Sequence, residues 1–459
     1  MGNDVTLVPL ESDGSVLQPS AIYSPDSYIQ TVELDESEVQ RRFFEFKREQ
    51  SKRLKENSLI RELSDGEIQK VVRRVLTREA IQKEKSAPQS QSLTKRMSKS
   101  EERIFGKSAI EHNVYFPTNG SFIKSPKVFL GSELSEEYLR LFESVVAQML
   151  GNMIEKTSAL HGKSITQAVI GRPIQYHGNR GEAGNEQAIE IMQKAASRAG
   201  LKDVVFMYEP LAAALDYEKN LCSDQTILVV DVGGGTTDCS VVKVGPSRRD
   251  KIRRERDLLG FAGDRIGGID MDISLGWSEM MPYLGKDTRR YHLKALDAIS
   301  VNNIPRQNSF YSNFDRYYHD DGTELVAQRL YKVFKEHLTE RLAHSAELAK
   351  IALSDKQSIT LPLKYIEPGL QIMISRQSLR EAIDRDLSKI SNVIREAIKL
   401  GSSKLDAIYI TGGAALSPVV LNSIKAVVNN KIPIITGNMY ESVTIGLTNF
   451  ASVYFGPER

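Results

Sequence analysis

Two aspartates flank a run of glycines and threonines in the stretch ILVVDVGGGTTDCSVV, residues 227–242. The run begins with three glycines, Gly233, Gly234 and Gly235. Glycines adopt backbone angles closed to other residues, and their successive N–H groups can converge on an anion such as phosphate. Thr236 and Thr237 add hydroxyl donors, while Asp231 and Asp238 are hard oxygen ligands suited to Mg²⁺. The pattern predicts a phosphate-binding loop beside a magnesium site; a plain glycine-rich turn is the alternative.

The flanking residues predict which elements hold the glycines in place. β-branched runs stand on both sides, so Asp231 ends one strand and Asp238 begins the next. No Gly-Lys-Ser/Thr follows the glycines, which excludes a Walker loop. A strand follows where a dinucleotide-binding fingerprint needs a helix, which excludes that motif as well. The expected element is a β-hairpin whose turn binds phosphate.

Length and composition are those of a soluble globular protein with two or more lobes. The chain has 459 residues, of which 41% are hydrophobic and 26% charged, and its net charge of +2 gives no reason to expect a nucleic-acid partner. No apolar run approaches the ~20 residues of a membrane span. Cys222 and Cys239 are too few for a disulfide framework and suit a reducing, cytoplasmic compartment.

The N-terminal quarter of the chain differs in character from the rest. Residues 5–25 have the pattern of a hairpin with its turn at residues 12–14. Residues 35–106 predict a charged helical insert, with Ser64 and Glu67 as a capping box. Within it, residues 86–99 are expected to be an exposed linker and the first site of proteolysis. We interpret its basic clusters as solvated faces, and the insert is a candidate docking surface for protein partners.

Beyond the insert, predicted strands and helices alternate. Helical patterns at residues 185–198 and 376–400 separate strand patterns at residues 168–173, 204–210 and 406–413. Such alternation is typical of an α/β protein with helices packed over its sheets.

These motifs, in this order, resemble the actin-fold ATPases, and specifically the nucleotide-binding part of the seventy-kilodalton heat-shock chaperones of the DnaK type. The glycine hairpin looks like their second phosphate loop. Four other segments look like the first connecting segment, the opening of the second lobe's outer subdomain, the adenosine-contacting helix and the adenosine loop: MYEPLAAALDYE at 207–218, GDRIGGIDMD at 263–272, AELAKIALS at 346–354 and IYITGGAALSP at 408–418. Segments 124–131, 165–178 and 203–210 are most similar to a shorter branch, the YegD-like chaperones.

The resemblance implies an actin-like ATPase fold. This fold has two lobes, each split into two subdomains, with a nucleotide cleft between the lobes. We expect the lobes at residues 1–225 and 226–459, with the outer subdomain of the second lobe at about 260–360. We expect no peptide-binding β-sandwich domain within the chain.

The resemblance also implies ATP or ADP with Mg²⁺ as cofactors and gives roles to matching residues. Asp231 and Asp238 would hold the metal through its waters. Glu209 would position the attacking water, Lys127 would stabilise charge developing on the phosphate, and Pro173 would couple nucleotide state to lobe movement. The residues implied to contact the nucleotide are Gly233, Gly234, Gly235, Thr236 and Thr237 of the hairpin, Glu347, Lys350 and Ser354 of the helix, and Gly412 and Gly413 of the loop.

The sequence departs from the family pattern in three places. The acid–x–Gly–Thr hairpin expected near the N-terminus is missing, so either the sequence is truncated or the lobe has lost its opening strands. Without a second hairpin that binds the phosphates, we expect very slow ATP hydrolysis or none. Ala414 and Leu416 replace Ser and Arg in the adenosine loop, and Tyr440 replaces an acid in the second connecting segment. These changes predict weak or base-tolerant nucleotide binding.

Three functions stay open at this point. The first is a chaperone-like nucleotide-binding protein, with ATPase activity if the missing hairpin reflects a truncated sequence. The second is a degenerate actin-fold scaffold that binds partners without ATP turnover. The third is a sugar kinase on the same fold, although no sugar-site signature is visible.

Overall fold

The computed structural model describes residues 5–25, 35–56, 63–84, 103–115, 117, 120–176, 180–312, 314, 325–428 and 431–456. The linker expected at residues 86–99 lies outside this part of the chain. The chain divides into two compact units: Gln18–Lys124, and Met1–Leu17 together with Ser125–Arg459.

The described residues of the first unit form a small sheet and three helices. Its elements are β1 (Ala21–Pro25), α1 (Glu36–Glu56), α2 (Asp65–Glu84), β2 (Ile104–Phe105), α3 (Gly106–Tyr115) and β3 (Gly120–Lys124). The strands are antiparallel, in the order β2-β1-β3.

The prediction of a hairpin over residues 5–25 is wrong in part. Its turn does form, because Gly14 takes the left-handed φ of 82° and the Leu10 N–H donates to the Ser15 carbonyl at 3.0 Å. However, β1 pairs with β2 and β3 and not with residues 5–10. All five residues of β1 are buried, so this strand needs partners on both edges, and only distant parts of the chain supply them.

The two long helices of the predicted insert pack against each other through an apolar seam. Val39 and Phe43 of α1 and Ile68 and Val72 of α2 belong to one buried cluster. The capping box at the start of α2 is confirmed, since the Ser64 N–H donates to the Glu67 carboxylate at 2.8 Å.

The second unit contains most of the sheet structure. Its elements are α4 (Glu136–His161), β4 (Gln167–Arg172), α5 (Gly181–Arg198), β5 (Asp203–Tyr208), α6 (Glu209–Glu218), β6 (Gln225–Val232), β7 (Thr237–Val244), β8 (Leu258–Asp264), α7 (Gly268–Leu275), α8 (His292–Ile299), α9 (Ile304–Ser312), α10 (Leu325–Lys335), α11 (Thr339–Asp355), β9 (Ser358–Pro362), β10 (Gln371–Ser375), α12 (Arg376–Ala382), α13 (Asp384–Gly401), β11 (Ala407–Thr411), α14 (Pro418–Val427), β12 (Ile434–Thr436) and α15 (Ser442–Tyr454).

A five-stranded sheet in the order β12-β11-β6-β7-β8 organises this unit. Strand β6 lies in the middle, parallel to β11 and antiparallel to β7. Leu228 and Val230 face one buried core, while Ile227 and Val229 face another. Because both faces of β6 are covered, a continuous apolar run is stable there and carries Asp231 to the end of the strand.

Helices α6 and α15 pack at very close range. A Cβ atom added to Gly446 of α15 would overlap the backbone carbonyl oxygen of Ala212 in α6. The two helices also flank β11, where the Tyr409 hydroxyl lies 3.0 Å from the Asp216 carboxylate and 2.9 Å from the Ser442 hydroxyl. Glycine at position 446 therefore allows the helix contact on which this part of the unit depends.

The C-terminal end of α6 is fixed by a buried ionic network. Both terminal nitrogens of Arg254 donate to Glu218 at 2.9 Å, and its Nε donates to Asp257 at 2.6 Å. The Gly245 N–H also donates to Glu218, at 2.9 Å. The three charged residues are at most 3% exposed, so the loop between β7 and β8 is tied to α6.

No helix within the described ranges is long and apolar enough to cross a membrane.

Candidate functional site

The glycine hairpin brings the two aspartates to facing positions. In the register of β6 and β7, Asp231 is opposite Asp238 and Val232 is opposite Thr237. The turn is closed by the Gly233 N–H, which donates to the Thr236 carbonyl at 2.9 Å. Directly opposed residues of an antiparallel pair project to the same face, so both carboxylates emerge on one side of the turn.

The start of α7 supports the hairpin from behind. The Gly268 N–H donates to the Gly233 carbonyl at 3.0 Å, and the Ile269 N–H donates to the Gly234 carbonyl at 2.8 Å. A Cβ at Gly267 would lie 2.7 Å from the Gly235 nitrogen, so only glycine allows this approach. These bonds occupy the carbonyls of the turn.

A lysine–glutamate pair lies next to the hairpin. Lys127 is in the short 3₁₀ turn Pro126–Phe129, and its Nζ forms an ion pair with the carboxylate of Glu209, the first residue of α6. A Cβ at Gly235 would overlap the Val128 side chain, which places this turn directly against the hairpin. Burial is the largest effect and lowers the pKa of Lys127, but the charges of Glu209, Tyr176 and Asp238 and the hydrogen bond to Glu209 together outweigh it, so the net pKa is raised.

The two aspartates are buried and bind their protons unusually tightly. Burial, followed by the nearby charge of Glu209, raises the pKa of Asp231 to about 8 and that of Asp238 to about 7. The Ile174 N–H donates to Asp238 at 2.6 Å and opposes the shift for that group. Lys127, the nearby cation, is already paired with Glu209, so the site is short of positive charge.

This donor set fits a hydrated divalent cation. Two carboxylates face each other with a third acid nearby, and a cation there would relieve their repulsion. In the part of the chain that the structure describes, no group of three or more His, Cys, Asp or Glu side chains is arranged to hold a metal directly. Mg²⁺, which keeps several of its waters when bound, suits such a site.

Gly412 places the second loop against the hairpin. Its φ is 89°, and a Cβ there would lie 2.5 Å from the Asp231 carboxylate and close to the Val232 carbonyl. The fold thus brings Asp231 and Gly412, which are far apart in the sequence, next to each other.

A cavity of about 250 Å³ opens beside Gly413. Its walls come from α11, the turn after β11 and the loop before α15: Lys350, Ile351, Ser354, Asp355, Gly413, Ala414, Leu416, Ser417 and Tyr440. Lys350 also pairs with Asp272 at 2.6 Å and donates to the Gly268 carbonyl at 2.8 Å. Because the Gly268 N–H donates to the hairpin, this lysine links the cavity wall to the glycine hairpin through a single residue.

The structure thus gathers most of the predicted residues but separates one of them. Lys350, Ser354 and Gly413 line the cavity, whereas Glu347 does not and instead lies 3.1 Å from His344. Four apolar residues of the same helix form a stripe beside them, and all four are buried: Leu342, Ala346, Ala349 and Leu353.

Several residues of the site were not assigned a role from the sequence. Tyr176 is buried near Lys127, and burial raises its pKa. Asp272 holds Lys350, and Ile174 binds Asp238 through its backbone, an interaction to which side-chain type gives no clue. Asp272 could have been suspected, since an acid in a mostly buried helix needs a cation as partner.

Comparison with known proteins shows to which family the chain is similar. The model of the family described as Hsp70 protein matches residues 124–275 and 328–459. The chaperone protein dnaK of Guillardia theta is 28% identical over 325 residues, which is 68% of this chain and 43% of that protein. The stromal 70 kDa heat shock-related protein of Spinacia oleracea is 27% identical over 68% of this chain and 45% of its own length. Chaperone protein DnaK of Thermus thermophilus is 26% identical over 69% of this chain and 44% of its own length.

The chain spans less than half the length of these relatives. The family model nevertheless covers both the glycine hairpin and the cavity. Since that match includes more than half of the 459 residues, the chain has the actin-like ATPase fold and belongs to the Hsp70 protein family.

Proposed function

We propose that this chain is a chaperone-like protein that binds ATP or ADP together with Mg²⁺ and hydrolyses ATP slowly or not at all. One observation carries the proposal: the glycine hairpin, the buried acids and the cavity form a continuous site, joined through Gly268 and Gly412. A nucleotide is a ligand with an anionic end and a flat ring end, and this site offers a matching surface to each.

We assign the phosphates to the hairpin and the nucleoside to the cavity. The phosphates would meet the N–H groups of Gly234 and Gly235 and the hydroxyl of Thr236. Of the other predicted donors, the Gly233 N–H closes the turn and the buried Thr237 hydroxyl donates to the Ile266 carbonyl at 2.8 Å, so these two groups would shape the loop. Asp231 and Asp238 would hold Mg²⁺ through its waters, and the ion would offset phosphate charge. Glu209 would position water, and Lys127 would stabilise developing charge once its pairing with Glu209 loosens. Lys350, Ser354 and Gly413 would border the nucleoside. We keep Gly412 as the spacer that brings its loop to Asp231, and Glu347 as a flanking residue.

Slow turnover is supported by the small number of loops that could bind the phosphates. Phosphoryl transfer depends on charge stabilisation from several directions. Among the described residues, a turn with three successive glycines between antiparallel strands occurs once.

The ion pair between Lys127 and Glu209 favours a second candidate, a scaffold that binds partners without turnover. In that pair, the two groups proposed for chemistry neutralise each other. The helices α1 and α2 would then serve as the docking surface, where Phe44 of α1 stays 61% exposed among charged neighbours.

Three finer assignments belong to the same proposal. We place the chain nearest the YegD-like branch on its segments 124–131, 165–178 and 203–210. We place the lobes at 1–225 and 226–459, with the outer subdomain at about 260–360. A cytoplasmic compartment is supported by Cys222 and Cys239, which are both free thiols.

Titration calorimetry with MgADP and MgATP, combined with single-turnover phosphate release, tests the proposal. We expect measurable nucleotide binding that is lost with EDTA, and phosphate release far slower than nucleotide dissociation. Absence of binding would leave the scaffold as the better account, and rapid hydrolysis would show that one hairpin suffices for catalysis.

A further inference from the structure

Tyr176 is one of the largest fully buried side chains of the chain, and its hydroxyl is unpaired. The residue is 1% exposed, and its hydroxyl oxygen has no hydrogen-bond partner within the described ranges. Burying a hydroxyl without a partner costs free energy, so a folded protein rarely keeps such a group without a use for it.

The backbone that carries Tyr176 is fixed from two sides. The Ile174 N–H donates to the Asp238 carboxylate at 2.6 Å, which ties this segment to the glycine hairpin. The side chain of Asn185, only 4% exposed, accepts from the Tyr176 N–H at 2.9 Å and donates to the Ile174 carbonyl at 3.2 Å. A buried polar group that is satisfied in this way makes the local structure rigid. The position of the unpaired hydroxyl is therefore set by the hairpin and by α5.

The ion pair between Lys127 and Glu209 lies near this hydroxyl. Burial raises the pKa of Tyr176, and among the charges around it that of Lys127 acts most strongly, followed by that of Glu209. The Glu209 carboxylate lies against β4, since a Cβ at Gly171 would be 3.1 Å from its Oε1. The hydroxyl is thus a neighbour of the ion pair but takes no part in it.

The ion pair has to open before Lys127 can bind a phosphate. When one partner of a buried pair leaves, the other becomes an uncompensated charge, which is strongly unfavourable. Only 19% of the Glu209 side chain is exposed, so its carboxylate would then need another donor. A tyrosine hydroxyl can donate, and its bond to a carboxylate is stronger than a bond between neutral groups.

We propose that Tyr176 is a positioning residue for Glu209, and that its hydroxyl donates to the Glu209 carboxylate when Lys127 turns from that carboxylate to the terminal phosphate of ATP. This inference rests on the proposed nucleotide-binding function and deepens it. ADP lacks the terminal phosphate, so with ADP the ion pair stays closed and the hydroxyl stays unpaired. The exchange of partners therefore favours binding of ATP over ADP.

Titration calorimetry of the full chain tests this role with MgADP and with the magnesium complex of AMP-PNP, the β,γ-imido analogue of ATP. Tyr176→Phe removes only the hydroxyl. It should weaken AMP-PNP binding about tenfold, the loss expected for one hydrogen bond to a charged group, and leave MgADP within about twofold of wild type. The matched control is Tyr365→Phe, because the Tyr365 hydroxyl is already bonded to the Ser345 hydroxyl at 2.9 Å. This control should change neither affinity.

Thermal unfolding without ligand gives a second readout that a merely structural role would not produce. Because the Tyr176 hydroxyl is buried and unpaired, Tyr176→Phe should melt at the temperature of wild type or higher. Tyr365→Phe should melt about 1–2 °C lower, because it loses a hydroxyl that has a partner.

A double-variant cycle with Glu209→Ala tests whether Tyr176 acts through Glu209. Once the carboxylate is absent, adding Tyr176→Phe should weaken AMP-PNP binding no more than about twofold further. Fully additive losses would show that the hydroxyl acts on another group and would overturn the inference. If Glu209→Ala does not fold, the comparison of the two phenylalanine variants decides.

The outcomes separate this inference from the function on which it rests. Unchanged AMP-PNP binding by Tyr176→Phe, or a lower melting temperature of that variant without ligand, would overturn the inference while nucleotide binding stands. Equal losses for MgADP and AMP-PNP would also overturn it, since the terminal phosphate would then play no part. Binding of neither nucleotide by the wild type would overturn the proposed function and this inference together.

Discussion

The surroundings of Asp231 and Asp238 favour the protonated form of both carboxyl groups. Because their pKa values are raised to about 8 and about 7, each proton must leave before the carboxylate can attract a metal. The proton and Mg²⁺ therefore compete for this pair of residues, and pH should control nucleotide binding.

The first prediction concerns Asp231→Asn. In the wild type, MgADP affinity should rise steeply between pH 6 and pH 8, by at most about tenfold per pH unit for each proton released. The asparagine variant should bind MgADP at least about tenfold more weakly at pH 8 and show a flatter pH dependence. Calorimetry across this range measures both effects, and Asp287→Asn, at an exposed aspartate, is the control. An unchanged pH profile in Asp231→Asn would remove this residue from the metal site.

The second prediction concerns Glu209→Gln. The amide keeps the shape of the side chain but loses its charge and its ion pair with Lys127. MgADP binding at pH 8 should stay within about threefold of wild type, whereas any single-turnover hydrolysis should slow by about 10²-fold. Because the charge of Glu209 contributes to the raised pKa values of both aspartates, the midpoint of the pH profile should move to lower pH. A midpoint that stays in place would mean that the three acids do not interact.

At the scale of elements, the crossing of α6 and α15 leaves no room for a side chain at Gly446. We predict that Gly446→Ala destabilises the fold by about 1–3 kcal/mol, since the added methyl group must push the helices apart. Gly151→Ala is the matched control, because Gly151 lies within α4 and a Cβ there would meet no atom within 4 Å. That control should be neutral or stabilising by up to about 1 kcal/mol. Urea unfolding measures the free energy of unfolding of both variants. Equal effects would show that the two helices have room for a methyl group at their crossing.

Elements whose cause is local were predictable from sequence. The hairpin at Asp231 follows from consecutive glycines between β-branched runs, and the capping box of α2 follows from two residues three apart. The pairing of β1 with β3 was not predictable, because the partner is almost a hundred residues away. Register between distant strands depends on the whole core, which no short pattern describes.

The site shows the same division between local and distant causes. Its acids and glycines stand next to one another in the sequence, so the chemistry that we propose could be inferred from the sequence alone. The contact of Lys127 with Glu209 and the choice of Asp272 as partner for Lys350 depend on three-dimensional packing. Glu347 shares a helical stripe with Lys350 and Ser354 but does not line the cavity. Helical spacing indicates which residues share a stripe but not where a neighbouring loop ends.

At the scale of the whole molecule, the buried acids make stability depend on pH. Unfolded aspartates lose their protons near pH 4, whereas in the folded protein Asp231 and Asp238 keep theirs until about pH 8 and about pH 7. The folded state therefore binds more protons in this window, and the contribution of these groups to stability falls as pH rises from about 4 to 8.

We predict that the double variant Asp231→Asn, Asp238→Asn melts close to wild type at pH 5 but at least about 2 °C higher at pH 8 without ligand. MgADP should raise the melting temperature of the wild type at pH 8 and have little effect on the double variant. Thermal scans at both pH values, with and without MgADP, decide the matter. A double variant that melts lower than wild type at pH 8 would contradict the proposed electrostatic cost.

The ionic network at the end of α6 couples the motions of a remote loop to those of the site. Glu209 begins this ten-residue helix and Glu218 ends it, about 14 Å away. A helix held at its far end by buried charges cannot tilt independently of the loop that supplies them. The Gly245 amide, which donates to Glu218, should therefore exchange its hydrogen with solvent more slowly when nucleotide restrains Glu209, although no ligand atom comes near it.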